Sequence, residues 1–228
     1  MEKIRIKEIV EFRRRSDKSK KSYAYKLKNR KTKEKIEGES EGGGDYWVTS
    51  TSSIYNVAKY GLKNIYEDKI DELYSKYAET HDKRIKTMYQ RNIDILNSFK
   101  EMDLEEIMPD IECKFQAIPK QLKVIEINDF PIFVNPNLLF SFKYNGKNQI
   151  GAIWLVPQLN GFNKNDLGIF CECLYKMLVK NYGLEYQISE KHCIVIDTFK
   201  AQIINYLDLK SGNIPFLLET TLKNLKEL

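Results

Sequence analysis

Along the second half of the chain the apolar residues come in short dense runs: IECKFQAI, LKVIEI, FPIFV, NLLFSFKY and QIGAIWLV. These runs are rich in β-branched and aromatic residues and are broken by Pro, Asn-Asp and Asn-Gly, so they predict strands in an antiparallel meander. YNGK at 144–147 is the strongest hairpin signal, because Asn-Gly tolerates the positive φ angles of a two-residue turn. IWLV shows no alternation, which predicts a central strand covered on both faces, and HCIVID reads the same way.

Elsewhere the apolar positions follow helical spacing. KIRIKEIVEFRRR sets Ile4, Ile6, Ile9, Val10 and Phe12 among charges, a short helix with one stripe that must dock. VTSTSSIYNVAKYG supplies hydroxyl caps and a helix stopped by Gly61. Asn64 with Glu67 opens a single long helix whose apolar face is Ile70, Leu73, Tyr77, Ile85, Met88, Leu96 and Phe99, with Pro109 as its latest end. NKNDLGIFCECLYKMLVKNYG is an amphipathic helix carrying Leu167, Phe170, Leu174, Met177 and Leu178 and stopped by Gly183, and PFLLETTLKNLKEL closes the chain as another. The order predicts an α/β (α+β) fold with a central mixed sheet, an antiparallel meander and flanking helices.

Composition narrows the class. With 228 residues, 42% hydrophobic and 30% charged, the chain supports one substantial core plus appendages and is too apolar for wholesale disorder. MEKIRIKEIVEFRRR lacks the apolar stretch of a secretory signal and no later segment spans a bilayer, so a cytoplasmic location without a membrane partner is expected. Four unevenly spaced cysteines are expected as reduced, mostly buried thiols.

The net charge of +5 hides an asymmetry. Residues 1–36 hold fifteen Lys/Arg against five Asp/Glu, so the basic character is local. Such a block can neutralise phosphates, and Arg13, Arg14, Arg15, Lys18, Lys20, Lys21, Lys26, Lys28, Arg30 and Lys31 are the candidate nucleic-acid contacts. Tyr23 and Tyr25 can stack on bases or tether the segment to the rest of the protein, and tethering is the slightly favoured reading. GESEGGGDYW is read as a flexible joint, since no GK[ST] or GxGxxG accompanies its glycines. The expected organisation is a basic helix or arm with its joint at 1–44, then one α/β domain at 45–228, helical over 46–108 and sheet-rich over 110–228.

Over roughly residues 46–200 this order resembles the PD-(D/E)XK nuclease fold, which is restriction-endonuclease-like, and within it the RecB-like exonuclease branch. SSIYNVAKYG resembles the opening helix of that branch, TMYQRNIDIL its second helix and PIFVNPNLLF the strand offering a metal-binding Asp. IGAIWLV resembles the Asp-x-Lys strand, and CECLY the helix with a Gln-x-x-x-Tyr motif. In that family two carboxylates hold a divalent cation that activates water, and a lysine assists the nucleophile. Carried onto this chain, the carboxylates fall at Asn137 and Ala152 and the lysine at Trp154; Tyr175 is kept, Cys171 replaces the glutamine and Gln90 the second-helix histidine. An amide, a methyl group and an indole are poor substitutes for that chemistry.

The resemblance therefore implies a nuclease-like scaffold without catalysis or metal, binding nucleic acid or an acidic partner through its basic N-terminal region. A setting in phage defence or a mobile element is implied by the resemblance alone. A second reading is a Mg- or Mn-dependent nuclease with ligands relocated to Glu126, Asp129, Glu112 or Asp197; a third is a protein-interaction or inhibitor module. DNA, RNA and a protein all stay open as partners, as does the oligomeric state. Cys171, Cys173, His192 and Cys193 lack zinc-site spacing, because residues two apart on a helix diverge, and His81 has no nucleophilic partner at motif spacing.

Overall fold

A computed structural model of the protein describes residues 2–30, 46–102 and 104–228. The glycine joint and Lys31 lie outside the described residues. The strands are β1 (Ile4–Arg5), β2 (Lys114–Gln116), β3 (Val124–Ile127), β4 (Phe130–Phe133), β5 (Leu138–Tyr144), β6 (Lys147–Val156), β7 (Gln187–Asp197) and β8 (Gln202–Asn205). The helices are α1 (Ile6–Arg14), α2 (Asp17–Lys28), α3 (Val48–Tyr60), α4 (Asn64–Glu79), α5 (Lys83–Glu101), α6 (Lys164–Tyr182), α7 (Tyr206–Lys210) and α8 (Leu218–Glu227). The chain is thus mixed α/β. None of the described helices is long and apolar enough to cross a membrane.

β5 and β6 form the expected hairpin, with Tyr144 opposite Lys147 and the turn residues Asn145 and Gly146 at φ 48° and 77°. β6 is central in a sheet ordered β2-β5-β6-β7-β8, in which only the β6–β7 pair is parallel. α6 makes the crossover between those two strands. The unalternating apolar run of β6 is explained by cover on both sides. Ile153 and Leu155, with Leu138, Phe140, Ile194 and Ile196, pack against α3, α4 and α5. Ala152 and Ile150, with Leu139, Cys193 and Val195, pack against α6, α1 and α8. Beside Ala152 the β6–β7 register slips, and at Gly151 a Cβ would come 2.8 Å from the Cβ and carbonyl of His192; a bare backbone admits the bulge.

Three expectations are corrected. The predicted meander is divided between two sheets: β3 and β4 pair with each other and with β1 in a three-stranded sheet, while β2, β5 and β6 belong to the five-stranded one. The cause is non-local, since Ile4 and Arg5 pair in parallel with Ile132 and Phe133 and occupy the edge of β4. The single long helix from Asn64 is two helices. Asp82 accepts hydrogen bonds from the N–H groups of Arg84 (2.7 Å) and Ile85 (3.2 Å), a helix cap that restarts the chain and leaves Ile85 at the surface, 38% exposed. In α3 the hydroxyls do not cap: Thr51 and Ser53 donate back to the carbonyls of Trp47 and Thr49 one turn earlier.

The basic N-terminal segment packs firmly. Ile4, Ile6, Ile9, Val10 and Phe12 are all buried in the core that also contains α6 and the three-stranded sheet, and α2 adds Ala24 and Leu27. Burial of each large side chain contributes roughly 1.5–3 kcal/mol. The stripe read from the sequence is therefore the anchor that holds α1 and α2 in place.

Candidate functional site

The three positions that the resemblance assigns to metal chemistry lie together at the end of the β5–β6 hairpin, and each has a structural use. The N–H of Asn137 donates to the carbonyl of Ile153 (3.0 Å), and its Oδ1 accepts the N–H of Leu155 (2.9 Å), extending the ladder past the strand end. Ala152 is fully buried between Leu139 and Cys193. Trp154 meets the ring of Phe170 on α6 edge to face at 5.3 Å, and Phe170 in turn contacts Phe162. Aromatic packing fills this region. Cys171 donates weakly to the carbonyl of Cys193 (3.5 Å), and burial pushes the thiols of Cys173 and Cys193 up. Gln90 lies away from it on α5, bonded to Asp94 at 2.8 Å.

The four alternative acids do not converge. Glu112 is exposed ahead of β2, Glu126 is exposed on β3, and Asp129 in the β3–β4 turn pairs with Lys226. Asp197 is fully buried at the end of β7, where its oxygens accept N–H bonds from Phe162 (2.7 Å), Phe199 (2.9 Å) and Lys200 (3.2 Å). These bonds tie down two loops. Among the described residues no group of three or more His, Cys, Asp or Glu is arranged to hold a metal ion.

The basic residues separate into two groups. Arg13 (3.2 Å) and Arg14 both bind the carboxylate of Asp166, whose side chain is fully buried at the start of α6. Asp166 also takes part in the capping box with Asn163, whose Oδ1 accepts its N–H at 2.9 Å. Arg30 pairs with Glu2 (2.8 Å) and Glu8 (2.5 Å), and Arg15 lies 3.9 Å over the ring of Tyr23. Tyr23 donates to Glu11 (2.8 Å); burial, then that bond and the nearby carboxylates, push its phenol up to about 12. Lys20 pairs with Asp17 and Lys28 donates to the carbonyl of Lys226. Lys18, Lys21 and Lys26 on α2 are exposed and meet no carboxylate among the described residues, and Tyr25 beside them is 70% exposed. Lys18, Lys21 and Tyr25 recur at three- and four-residue steps and so share one helix face.

Concave regions lie elsewhere. Lys83, Lys86 and Arg91 line an open groove of about 540 Å³ beside Tyr77 on the α4–α5 pair. A second cavity of about 540 Å³ lies between α6, Tyr206 and the start of α8, and Glu172 is part of its lining. Glu172 was not singled out in the sequence because it sits between the two cysteines of CEC, which drew attention as possible ligands; the usable signal was a lone carboxylate inside an apolar helical run. His192, buried by Ser189 (2.8 Å) and the ring of Phe142, has its imidazole pushed down to about 4 by burial and by Lys191. Comparison of the chain with family models, with curated proteins and with solved structures finds no match in any of the three.

Proposed function

We propose that this protein is a catalytically silent, PD-(D/E)XK-like scaffold that binds nucleic acid through the exposed face of α2. The observation that carries the reading is the lysine face itself: Lys18, Lys21 and Lys26 are exposed without carboxylate partners, next to an exposed Tyr25. Lysines without internal partners release counterions when they meet phosphates, and an exposed tyrosine offers a ring to an unstacked base. Silence of the chemistry is supported by the uses of Asn137, Ala152 and Trp154 in strand pairing and aromatic packing. The arrangement of a hairpin, a crossover helix and a parallel strand agrees with the resemblance in outline.

The test is fluorescence anisotropy with single-stranded and duplex oligonucleotides. Charge reversal of all three lysines (K18E, K21E, K26E) is expected to lower affinity on the order of 100-fold, while reversal of Lys83 and Lys86 in the α4–α5 groove changes it little. Unchanged binding by the α2 variant overturns the assignment of the surface.

A further inference from the structure

We propose that the cavity between α6, Tyr206 and the start of α8 is a nucleotide site that prefers guanine. This deepens the nucleic-acid reading and takes its class of ligand from it.

One part of the cavity lining is a carboxylate. Glu172 is only 3% exposed, yet lines a space of about 540 Å³. Its Oε1 accepts the N–H groups of Leu217 (2.7 Å) and Leu218 (3.0 Å), which fixes the side chain against the first turn of α8. Its Oε2 makes no hydrogen bond among the described residues. Oε2 stays accessible to solvent and so open to a donor, and burial pushes this carboxyl up despite the two backbone bonds.

Another part of the lining is aromatic. Tyr175 and Tyr206 stack face to face at 3.6 Å, and Phe216 meets Tyr206 at 5.9 Å while staying 51% exposed. Two lysines add basic groups to the lining. Lys176 is held by Glu219 at 2.8 Å, whereas Lys180 is exposed and meets no carboxylate among the described residues.

Acceptor, rings and cation therefore line one cavity. A nucleotide carries a complementary set of groups: N–H donors on the base edge, a planar ring and a phosphate. Guanine is favoured among the bases because its N1–H and N2–H donors stand side by side on one edge and can converge on Oε2, the oxygen that Leu217 and Leu218 leave open. A lysine or arginine side chain of a protein partner would also satisfy Glu172, but Lys180 on the same lining would repel it. α8 links the cavity to the α2 surface: Glu219 is on the cavity and the Lys226 carbonyl accepts from Lys28 of α2. Glu219 and Lys226 are seven helical steps apart, roughly 10 Å along α8.

The experiment is calorimetric titration of the full chain with GMP, AMP, CMP and UMP, run beside oligonucleotide binding. GMP is expected to bind at least tenfold more tightly than UMP. Glu172→Gln keeps an acceptor for Leu217 and Leu218 but puts a donor in place of one carboxylate oxygen, and should weaken GMP at least tenfold. Phe216→Ala, at a half-exposed position, should also weaken it, and the triple lysine variant of α2 should leave GMP unchanged. No binding of GMP, equal binding of GMP and UMP, or indifference to both substitutions overturns the proposal. If oligonucleotides still bind through the α2 lysines in those cases, the guanine site alone has failed. If GMP behaves as expected while oligonucleotide binding ignores the α2 lysines, the guanine site stands and the α2 surface has failed.

Discussion

α1 and α2 are neighbours in sequence and both carry a net positive charge, yet they use it in opposite ways. The guanidinium groups of Arg13 and Arg14 turn inward to the buried carboxylate of Asp166, 152 or more residues away, and hold α1 to the start of α6. On α2, Lys18, Lys21 and Lys26 face water, free of carboxylates among the described residues. A run of positive charge thus says little about availability. Planar arginine, with several donors in a fixed fork, suits a buried carboxylate, while lysine holds a compact charge that stays hydrated.

The largest expected effect that would break this contrast is on stability. Replacing Arg13 and Arg14 together by alanine leaves Asp166 buried without a cation, and should cost about 2 kcal/mol, allowing for the partial exposure of both arginines. Replacing Lys18, Lys21 and Lys26 by alanine should cost less than about 0.5 kcal/mol. Urea midpoints for the two variants check this, and equal losses would erase the distinction.

A buried group lacking a counter-charge provides the next comparison. His192 has no anion beside it, its Nε2 makes no hydrogen bond, and it stays neutral in the folded protein down to about pH 4. The unfolded chain takes up the proton near pH 6.5, so the contribution of His192 to stability is complete above that pH and is lost as the pH falls toward 4. Thermal midpoints across this window should fall for the natural chain, and less steeply for His192→Phe. An imidazole that titrates near 6.5 in the folded protein, followed by NMR, contradicts the burial argument.

A smaller effect is expected at Asn137. Removing its amide with Asn137→Ala frees the Leu155 N–H at the hairpin end and should cost about 1 kcal/mol, measured by chemical denaturation. A loss of metal-dependent DNA cleavage from the same variant, rather than a loss of stability, would restore Asn137 to chemistry.

What the sequence made legible follows from how local each cause is. The Asn145-Gly146 turn, the doubly covered β6 and the α6 helix depend on short-range patterns, and all three are as expected. The split of the long helix was masked because Ile85 and Met88 continue the apolar stride; the Asp82 cap outweighs that pattern, and Ile85 ends at the surface. The division of the sheet could not be read locally, since it depends on Ile4 and Arg5 finding β4 more than 120 residues away. The same distance effect hid the pairing of the arginines with Asp166. For the candidate site, the basic segment was legible as charge, but which of its residues face outward was decided by tertiary contacts.

The most direct test of the central claim is the salt dependence of binding to a single-stranded oligonucleotide, measured for the natural chain, the alanine variant of Lys18, Lys21 and Lys26, and the alanine variant of Arg13 and Arg14. The plot of log affinity against log salt concentration should lose about 2 units of slope in the lysine variant and keep its slope in the arginine variant under conditions where both are folded. A slope that falls with the arginines and ignores the lysines contradicts the division of labour between α1 and α2.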